Sequence, residues 1–349
     1  MAEANVDQLL LSIGSDLPYL TGYRAMPLER LTMAVVGASG PVTLVLPRLE
    51  APRVDAREPG FLDVVPWDET DDPVALVADV VGTAGRVALG DETWSTFLLQ
   101  LQDSLAEAQF VAASPLMAQV RIIKDDGELT ALRLSAHAAD RVADRLAATV
   151  FSNRSERDLA AMVGAMLLEE GCDAVSFVIV ASGPNSASPH HEPGERVIQG
   201  GDAVIVDFGG SVRGYHSDTT RTFHVGEPPA RFTRVHDVVE EAQRAGVAAV
   251  ETGVTAQSVD RAARSVINEA GFGDYFIHRT GHGIGLDVHE TPYIVEGNDL
   301  PLAPGMTFSV EPGIYVPGEF GVRIEDIVAV VDEGADRLNI SDRSVRIVG

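Results

Sequence analysis

Four carboxylates on apolar, strand-like segments constrain this chain more than any other feature. Asp207 interrupts a run of aliphatic residues, and Asp218 lies 11 residues further on, across a glycine-rich turn. Glu311 and Glu325 repeat the arrangement in a second segment, 14 residues apart. A hairpin in each segment would bring its two carboxylates onto one face. A buried carboxylate needs a positive partner, so the fold must supply cations to both segments.

Arginine and metal ions are the two sources of positive charge for these segments. Arg221 and Arg323 lie within them and could form ordinary ion pairs with the carboxylates. An ion pair explains one buried carboxylate as well as a metal ion does. Four carboxylates side by side could not all be ionised without cations, so the matched pattern favours metal.

A glycine-rich segment supplies nitrogen ligands. His282 lies between two glycines, where the backbone can approach closely, and His278 and His289 lie on either side of it. The glycines lack the strand-then-helix context of a dinucleotide fingerprint, and Tyr293 stands where a zincin motif would need a histidine. One imidazole with four carboxylates is an oxygen-rich set, which suits two divalent ions about 3.5–4 Å apart.

The order of predicted elements changes near residue 115. Before this point short strands alternate with helices, and no stretch has the density of His, Asp and Glu expected of a catalytic centre. Beyond it, two helices, strands and a hairpin occur twice, which predicts an internal duplication around one shared site. We expect a smaller α/β domain at 1–118 and an α+β domain with pseudo-two-fold symmetry at 119–349. The predicted elements are strands 31–36, 42–46 and 87–89 with helix 72–81, then helices 127–150, 155–170, 232–251 and 255–270 with strands 177–181, 203–208, 215–223, 306–315 and 322–331.

Composition excludes several classes of function. The chain of 349 residues carries 26 basic and 52 acidic side chains, a net charge of −26, which repels nucleic acid. No apolar run approaches the roughly 18 residues of a membrane span, and no signal peptide is evident. Cys172 is the only cysteine, which excludes intramolecular disulfides and agrees with a cytoplasmic location. Lys124 is the only lysine.

The carboxylates and His282 together carry a specific resemblance to a known family. Five residues match, in order and spacing, the metal ligands of the pita-bread peptidases, which include methionine aminopeptidase, aminopeptidase P and prolidase. The matching residues are Asp207, Asp218, His282, Glu311 and Glu325. The first region, with Tyr-Leu-Thr-Gly-Tyr at 19–23, resembles the amino-terminal domain of the proline-specific branch, which methionine aminopeptidases lack. Creatinase shares the architecture but lacks the ligands.

The resemblance implies a role for each ligand. Asp207 would be a terminal ligand of one ion, and Asp218 and Glu325 would bind both ions. His282 and Glu311 would complete the shell of the other ion. Glu311 would also be the general base for the attacking water.

It implies further roles around the metal ligands. His289 would stabilise the tetrahedral intermediate, and His190 and His278 would line the substrate site. Taken alone, the adjacent loop residues His190 and His191 could equally be surface residues without a function. Arg323 would hold a ligand carboxylate from behind.

The implied activity is hydrolysis of the Xaa-Pro bond by two divalent ions, with manganese or cobalt favoured and zinc or iron also fitting. We expect an Xaa-Pro dipeptidase (prolidase), with aminopeptidase P activity on longer peptides as the close alternative and a non-catalytic binding protein as a remote one. The bond before proline has no N–H, so recognition must rely on ring shape and carbonyl polarisation. The resemblance also implies a homodimer. The acidic charge and the lack of a bilayer-spanning apolar run argue against nucleic acid and membrane as partners.

One departure from the family bears on substrate length. Many prolidases carry an arginine shortly after the His-Glu pair, where it binds the free carboxylate of the dipeptide, but this chain has Tyr293 there. The amino-terminal domain could supply the cation instead, from Arg48 or, as second candidate, Arg24. The alternative is a solvated Arg48 or one paired with Glu50.

Replacing Arg48 with alanine tests this expectation. A charged hydrogen bond to the carboxylate should give about 10–150-fold preference for dipeptides. Arg48→Ala should therefore weaken Xaa-Pro dipeptide turnover by that factor and leave a matched tripeptide nearly unchanged. An equal loss on both substrates would indicate a folding defect, and no loss would make Arg24 the next residue to test.

Overall fold

The computed structural model describes residues 1–54 and 60–349. The chain divides into two compact units, Met1–Val120 and Arg121–Gly349. The sequence-based division into domains at 1–118 and 119–349 stays a prediction. Within the described ranges, no helix combines the length and the apolarity that crossing a bilayer requires.

In the described part of the first unit, six strands form one mixed sheet in the order β4-β3-β2-β1-β5-β6. The strands are β1 (Gln8–Leu11), β2 (Met33–Gly37), β3 (Val42–Pro47), β4 (Leu62–Trp67), β5 (Arg86–Leu89) and β6 (Gln109–Ala112). The helices that begin here are α1 (Asp16–Thr21), α2 (Pro73–Val81), α3 (Ser95–Ser104) and α4 (Ser114–Arg121). Alternate residues of β1 enter different cores, Leu9 and Leu11 on one face and Leu10 on the other, as the two-residue period of a strand requires.

The second unit contains four long helices among its described residues. They are α5 (Asp126–Ala147), α6 (Glu156–Glu169), α7 (Ala230–Ala248) and α8 (Ala256–Glu269). The predicted cap of α6 is confirmed, because the Ser155 side chain accepts from the Asp158 N–H and the Asp158 carboxylate accepts from the Ser155 N–H. Gly171 and Gly271 follow α6 and α8 with φ values of 101° and 85°, which a β-carbon disfavours.

These helices pack against two five-stranded sheets. The strands are β7 (Ala174–Ser182), β8 (Ala203–Val212), β9 (Tyr215–His216), β10 (Thr219–Val225), β11 (Gly281–Gly283), β12 (Glu290–Ile294), β13 (Thr307–Val310), β14 (Gly313–Val316), β15 (Phe320–Arg323), β16 (Asp326–Val331), β17 (Gly334–Arg337) and β18 (Arg346–Val348). Strands β14 and β15 form a separate two-stranded sheet. One of the larger sheets has the order β18-β10-β8-β7, with β9 on β8, and the other has the order β12-β11-β13-β16-β17. A helix pair followed by a sheet thus occurs twice along the chain, in the predicted order.

The prediction of three unbroken strands at 215–223, 306–315 and 322–331 is wrong. Each of these strands is interrupted beside or at a predicted ligand: Asp218, Glu311 or Glu325. The reason is that the backbone leaves the local ladder there. The Glu311 N–H donates to the Thr280 carbonyl at 2.8 Å, and the Glu325 N–H donates to the Thr220 carbonyl at 3.2 Å. The second bond joins the two halves of the unit at the site.

A buried histidine on α7 lies apart from this site. His236 is 1% exposed, and both of its ring nitrogens lack a hydrogen-bond partner among the described residues. Burial lowers its pKa from 6.5 to about 4, against a smaller opposing effect of Asp342. The ring is therefore neutral in the folded protein at pH 7.

His236 should make the unit sensitive to acid. The pKa of His236 is lower in the folded than in the unfolded protein, so the ring is neutral in both states above pH 6.5 and does not affect stability there. As the pH falls from 6.5 towards 4, the unfolded protein binds a proton that the folded protein does not. The free energy of unfolding then decreases by up to about 3 kcal/mol. As the pH falls from 6.5 towards 4, the free energy of unfolding of His236→Leu should therefore decrease by up to about 3 kcal/mol less than that of the wild type. Urea unfolding of metal-free wild type and variant at pH 7.5 and pH 4.5 measures the difference. Equal losses in the two proteins would show that the ring does not titrate on unfolding.

Candidate metal centre

The predicted ligands line one cavity of about 750 Å³ in the second unit. All five reach it, from strands and strand breaks that are far apart in sequence. They are Asp207 in β8, Asp218 before β10, His282 in β11, Glu311 after β13 and Glu325 after β15. The cavity is also lined by His190, His278, His289 and Arg323. The structure therefore brings the predicted metal-ligating and histidine residues together.

Glycines on either side of His282 let β11 lie close to its neighbours. A β-carbon at Gly281 would stand 1.8 Å from the Ser309 carbonyl oxygen, and one at Gly283 would stand 2.3 Å from that of Thr291. Any other residue would push β11 away from β13 or β12. Glycine is thus required at both positions to bring His282 to the carboxylates.

Three overlapping groups of side chains could each hold a metal ion. In every group the ligand atoms lie within 4.8 Å of one another. The groups are Asp218 with His282 and His289, His282 with Glu311 and Glu325, and Asp207 with Asp218 and Glu325. The Nε2 atom of His282 lies 3.4 Å from both Asp218 Oδ2 and Glu311 Oε1. Three residues, Asp218, His282 and Glu325, each belong to two groups, so the groups form one continuous cluster.

Electrostatics in the cavity call for cations. Burial, and then the charges of Asp207 and Glu311, raise the pKa of Asp218 well above its usual range. Burial, and then the charges of Asp218 and Glu311, do the same to the pKa of Glu325. Burial also raises the pKa of Glu311. Divalent ions would remove this repulsion and keep the carboxylates ionised.

Two buried carboxylate oxygens without a hydrogen-bond donor in the described chain also indicate that cations bind in the cavity. Asp207 Oδ1 and Glu325 Oε1 are buried and accept no hydrogen bond from the described residues. A buried carboxylate oxygen without a donor is costly unless a cation binds it. These hard oxygen donors, with one imidazole, fit divalent ions of the manganese-to-zinc series.

Arginine neutralises only part of this charge. Arg323 Nη2 donates to Asp207 Oδ2 at 2.6 Å, and its Nε donates to Thr220 Oγ1 at 3.1 Å. Thr220 Oγ1 in turn donates to Glu325 Oε2 at 2.7 Å. Arg221 pairs with Asp326 at 2.7 Å, so the alternative that it neutralises one of the four carboxylates is wrong.

Hydrogen bonds to backbone carbonyls set the tautomers of two histidines. His282 Nδ1 donates to the Gly283 carbonyl at 3.1 Å, which leaves Nε2 as the free acceptor towards the carboxylates. His278 Nδ1 donates to the Arg279 carbonyl at 2.7 Å. His278 Nε2 then accepts from the Tyr315 hydroxyl at 2.8 Å. Burial lowers the pKa of His278 to about 4, so this ring is neutral.

Sequence profiles match both parts of the chain. Residues 130–332 match metallopeptidase family M24, and residues 1–123 match the creatinase/prolidase N-terminal domain. The chain belongs to metallopeptidase family M24. Its M24 region contains all five of the clustered ligand residues.

Named relatives and a solved structure resemble this M24 chain over nearly its whole length. The "Probable dipeptidase PepE" of Mycobacterium tuberculosis is 46% identical over 342 residues, which cover 97% of this chain and 91% of the relative. The "Xaa-Pro dipeptidase" of Lactobacillus helveticus is 34% identical and covers 100% of this chain and 96% of its own. The crystal structure of recombinant prolidase from Thermococcus sibiricus is 40% identical, with a TM-score of 0.95, and covers 100% of this chain and 96% of its own.

His289 lines the cavity of this M24 chain, and the adjacent Glu290 anchors its segment. His289 lies with its ring centroid 4.0 Å from that of His282. Burial lowers the pKa of His289 to about 4. The neighbouring Glu290 pairs with the buried Lys124 at 2.6 Å and with Arg121 at 2.5 Å. These pairs, which no sequence motif indicated, tie the His289 segment to the start of α5.

Arg279 also lines the cavity and was missed by the sequence analysis. Its guanidinium carbon lies 4.5 Å from the ring centroid of Tyr293 on β12. Tyr293 is opposite His282 in the ladder between β11 and β12, and it is 37% exposed. The signal that could have revealed Arg279 is its place three residues before His282, in the glycine-rich segment.

The first-unit arginines show a different pairing from the expected one. Arg48 is exposed and pairs with Asp68, Nε to Oδ1 at 2.6 Å and Nη2 to Oδ2 at 3.0 Å. The suggested partner Glu50 instead pairs with Arg53 at 2.5 Å. Arg24 is exposed and has no ion-pair partner in the described ranges. A substrate role for Arg48 or Arg24 stays a prediction.

The adjacent residues His190 and His191 have different surroundings. His190 lines the cavity, whereas His191 Nε2 lies 2.8 Å from the fully buried Glu156 carboxylate at the start of α6. The same carboxylate accepts from Ser182 N–H at 2.8 Å and from Asn185 Nδ2 at 3.0 Å. Burial alone would raise the pKa of Glu156, but the hydrogen bonds from His191, Ser182 and Asn185 bring it below its usual range. Glu156 thereby fixes the loop that presents His190.

Neutralising Glu156 should displace His190 without emptying the metal cluster. Since misplacing a substrate-positioning group by 1 Å can cost about 10²-fold, we expect Glu156→Gln to lower kcat/KM by roughly 10–100-fold. Metal content and the urea midpoint of the metal-loaded variant are measured alongside. Glu192→Gln, in the same loop and exposed, is the matched control. Equal activities of the two variants would contradict the positioning role.

Proposed function

We propose that this chain is an Xaa-Pro dipeptidase, which hydrolyses the bond between an N-terminal residue and a C-terminal proline. The observation that carries the proposal is the overlapping cluster of His282 with four carboxylates, three of them buried and Glu311 half-buried, in one cavity. The family and the dipeptidase names of its relatives agree with this activity.

The cavity offers an apolar wall beside the charged cluster. Phe177, Ile179, Pro189 and Val288 line it. A proline ring has no N–H to recognise and a fixed shape, so apolar contact is the available means of selecting it. The wall therefore suits the pyrrolidine ring of the substrate.

Two divalent ions would be held by the five predicted ligands, Asp207, Asp218, His282, Glu311 and Glu325. When bound, the ions would lower the pKa of a water molecule and polarise the scissile carbonyl. Manganese or cobalt is favoured because oxygen donors outnumber nitrogen in the cluster, and zinc or iron also fits.

The remaining steps fall to side chains of this chain. Glu311 would take the proton of the attacking water, and Ser309 Oγ, 3.3 Å from Glu311 Oε1, would hold the carboxylate in place. Neutral His289 would donate to the oxygen of the tetrahedral intermediate. His190 would orient the substrate. His278 would act through its hydrogen bond to Tyr315, because both of its nitrogens are engaged.

Aminopeptidase P activity on longer Xaa-Pro peptides is the alternative, and a non-catalytic binding protein is a remote one. A homodimer, a cytoplasmic location and the lack of nucleic-acid and membrane partners also stay predictions. The net charge of −26 argues against nucleic acid, and the single cysteine agrees with a cytoplasmic location.

Metal removal and one substitution test the function together. Chelator-treated protein should lose hydrolysis of Xaa-Pro dipeptides and regain it with manganese or cobalt. Glu311→Gln removes a ligand charge and a base, so its reconstituted form should show a kcat at least roughly 10²–10⁴-fold lower. Glu319→Gln, which alters an exposed ion pair with Arg231, is the control. Full activity of the metal-free protein would refute the proposal, and faster turnover of Xaa-Pro tripeptides than of dipeptides would favour the alternative.

A further inference from the structure

The cavity needs a cation for one part of the proposed substrate. An Xaa-Pro dipeptide carries a free carboxylate directly on its proline, whereas a longer peptide has a neutral amide there. Within the described residues, two arginines line the cavity, Arg323 and Arg279. Arg323 is fully engaged by Asp207, Thr220 and Tyr315 and is 2% exposed, so it cannot receive a second carboxylate.

Arg279 is the cation in this wall that remains available. No carboxylate of the described chain lies within ion-pair distance of its guanidinium, although acidic residues outnumber basic ones 52 to 26. Neighbouring arginines of the same unit are paired, Arg264 with Asp260 at 2.9 Å and Arg261 with Glu296 at 2.5 Å. A shortage of acidic partners therefore does not explain the isolation of Arg279.

Tyr293 holds this guanidinium in place. With the guanidinium carbon 4.5 Å from the ring centroid, the aromatic ring satisfies the cation without using its N–H groups. Those N–H groups form a planar fork that matches a carboxylate in bidentate geometry. The pair is thus arranged to receive an anion that the protein itself does not provide.

The position of the pair suits a carboxylate one residue beyond the scissile bond. Tyr293 is paired in register with His282, one of the proposed ligands, and Arg279 lines the same cavity as the cluster. One residue spans at most about 3.3–3.6 Å, so the anchor for the proline carboxylate must lie next to the ligands.

We infer that Arg279, stacked on Tyr293, binds the free carboxylate of the substrate proline and makes the enzyme prefer dipeptides. The inference rests on the proposed function and identifies the residue that selects substrate length at the same site. It places the cation in the second unit, on the segment that precedes β11.

The test compares Ala-Pro with its C-terminal amide, which differ only in the charge at this point. The wild-type enzyme should prefer the acid in kcat/KM. Arg279→Met should reduce turnover of the acid about 10–150-fold more than turnover of the amide. Arg279→Lys, which keeps the charge but loses the fork, should retain part of the preference. Calorimetric binding of proline and prolinamide to the metal-loaded proteins should show the same loss of discrimination.

Variants of Tyr293, with a control, distinguish carboxylate binding by Arg279 from the stacking that holds Arg279 in place. Tyr293→Leu should reduce the acid preference about 2–5-fold, the value of an exposed cation–π contact, and Tyr293→Phe should keep it. Arg261→Met removes an arginine that pairs at the surface of α8, and it should leave the preference unchanged.

Each other outcome has a defined meaning. An unchanged acid-to-amide ratio in Arg279→Met overturns the inference, as does an equal loss on both substrates. Loss of the preference in Arg48→Ala alone also overturns it and assigns the anchor to the first unit. If the wild-type enzyme hydrolyses dipeptides without preferring the acid, the inference fails and the proposed function stands. If it hydrolyses neither substrate, the proposed function fails, and the inference fails with it.

Discussion

Mutual repulsion among buried carboxylates is the constraint on which the rest of the second unit depends. Asp207, Asp218, Glu311 and Glu325 meet in one cavity. Burial and the neighbouring negative charges raise the pKa of three of them, Asp218, Glu311 and Glu325. Such a cluster is unfavourable unless cations occupy it. The helices and sheets therefore serve as a rigid frame that keeps the carboxylates together in spite of this repulsion.

Hydrogen bonds between the two halves carry much of that frame. Arg323 bonds to Asp207 and Thr220, Thr220 bonds to Glu325, and the Glu325 N–H returns to the Thr220 carbonyl. A displacement of one hairpin therefore also displaces the predicted ligands on the other hairpin. This connection explains why the strand is broken at Glu325: its backbone N–H leaves the ladder and forms a bond between the halves.

The sequence predicts the helix order because it depends on local patterns. The meeting of the clustered residues is predicted from the repeated order of elements and from the family resemblance. Alternating apolar residues, capping side chains and glycines beside His282 each act over a few positions. The strand breaks and the Glu156–His191 pair depend on partners far along the chain, which local patterns do not reveal. The stacking of Tyr293 on Arg279 likewise joins two segments, and neither segment alone indicates it.

The single lysine has a consequence for chemical labelling. Lys124 is 4% exposed and paired with Glu290, next to His289, and burial lowers its pKa against the opposing charge of Glu290. An amine-selective reagent directed at lysine therefore finds no lysine ammonium on the surface of this protein. Reaction at Lys124 requires the Glu290 pair to open, so its labelling rate measures how often the segment beside the predicted metal ligands loosens. The chain thus contains a built-in reporter for the rigidity of its own active site, and no residue has to be introduced to use it.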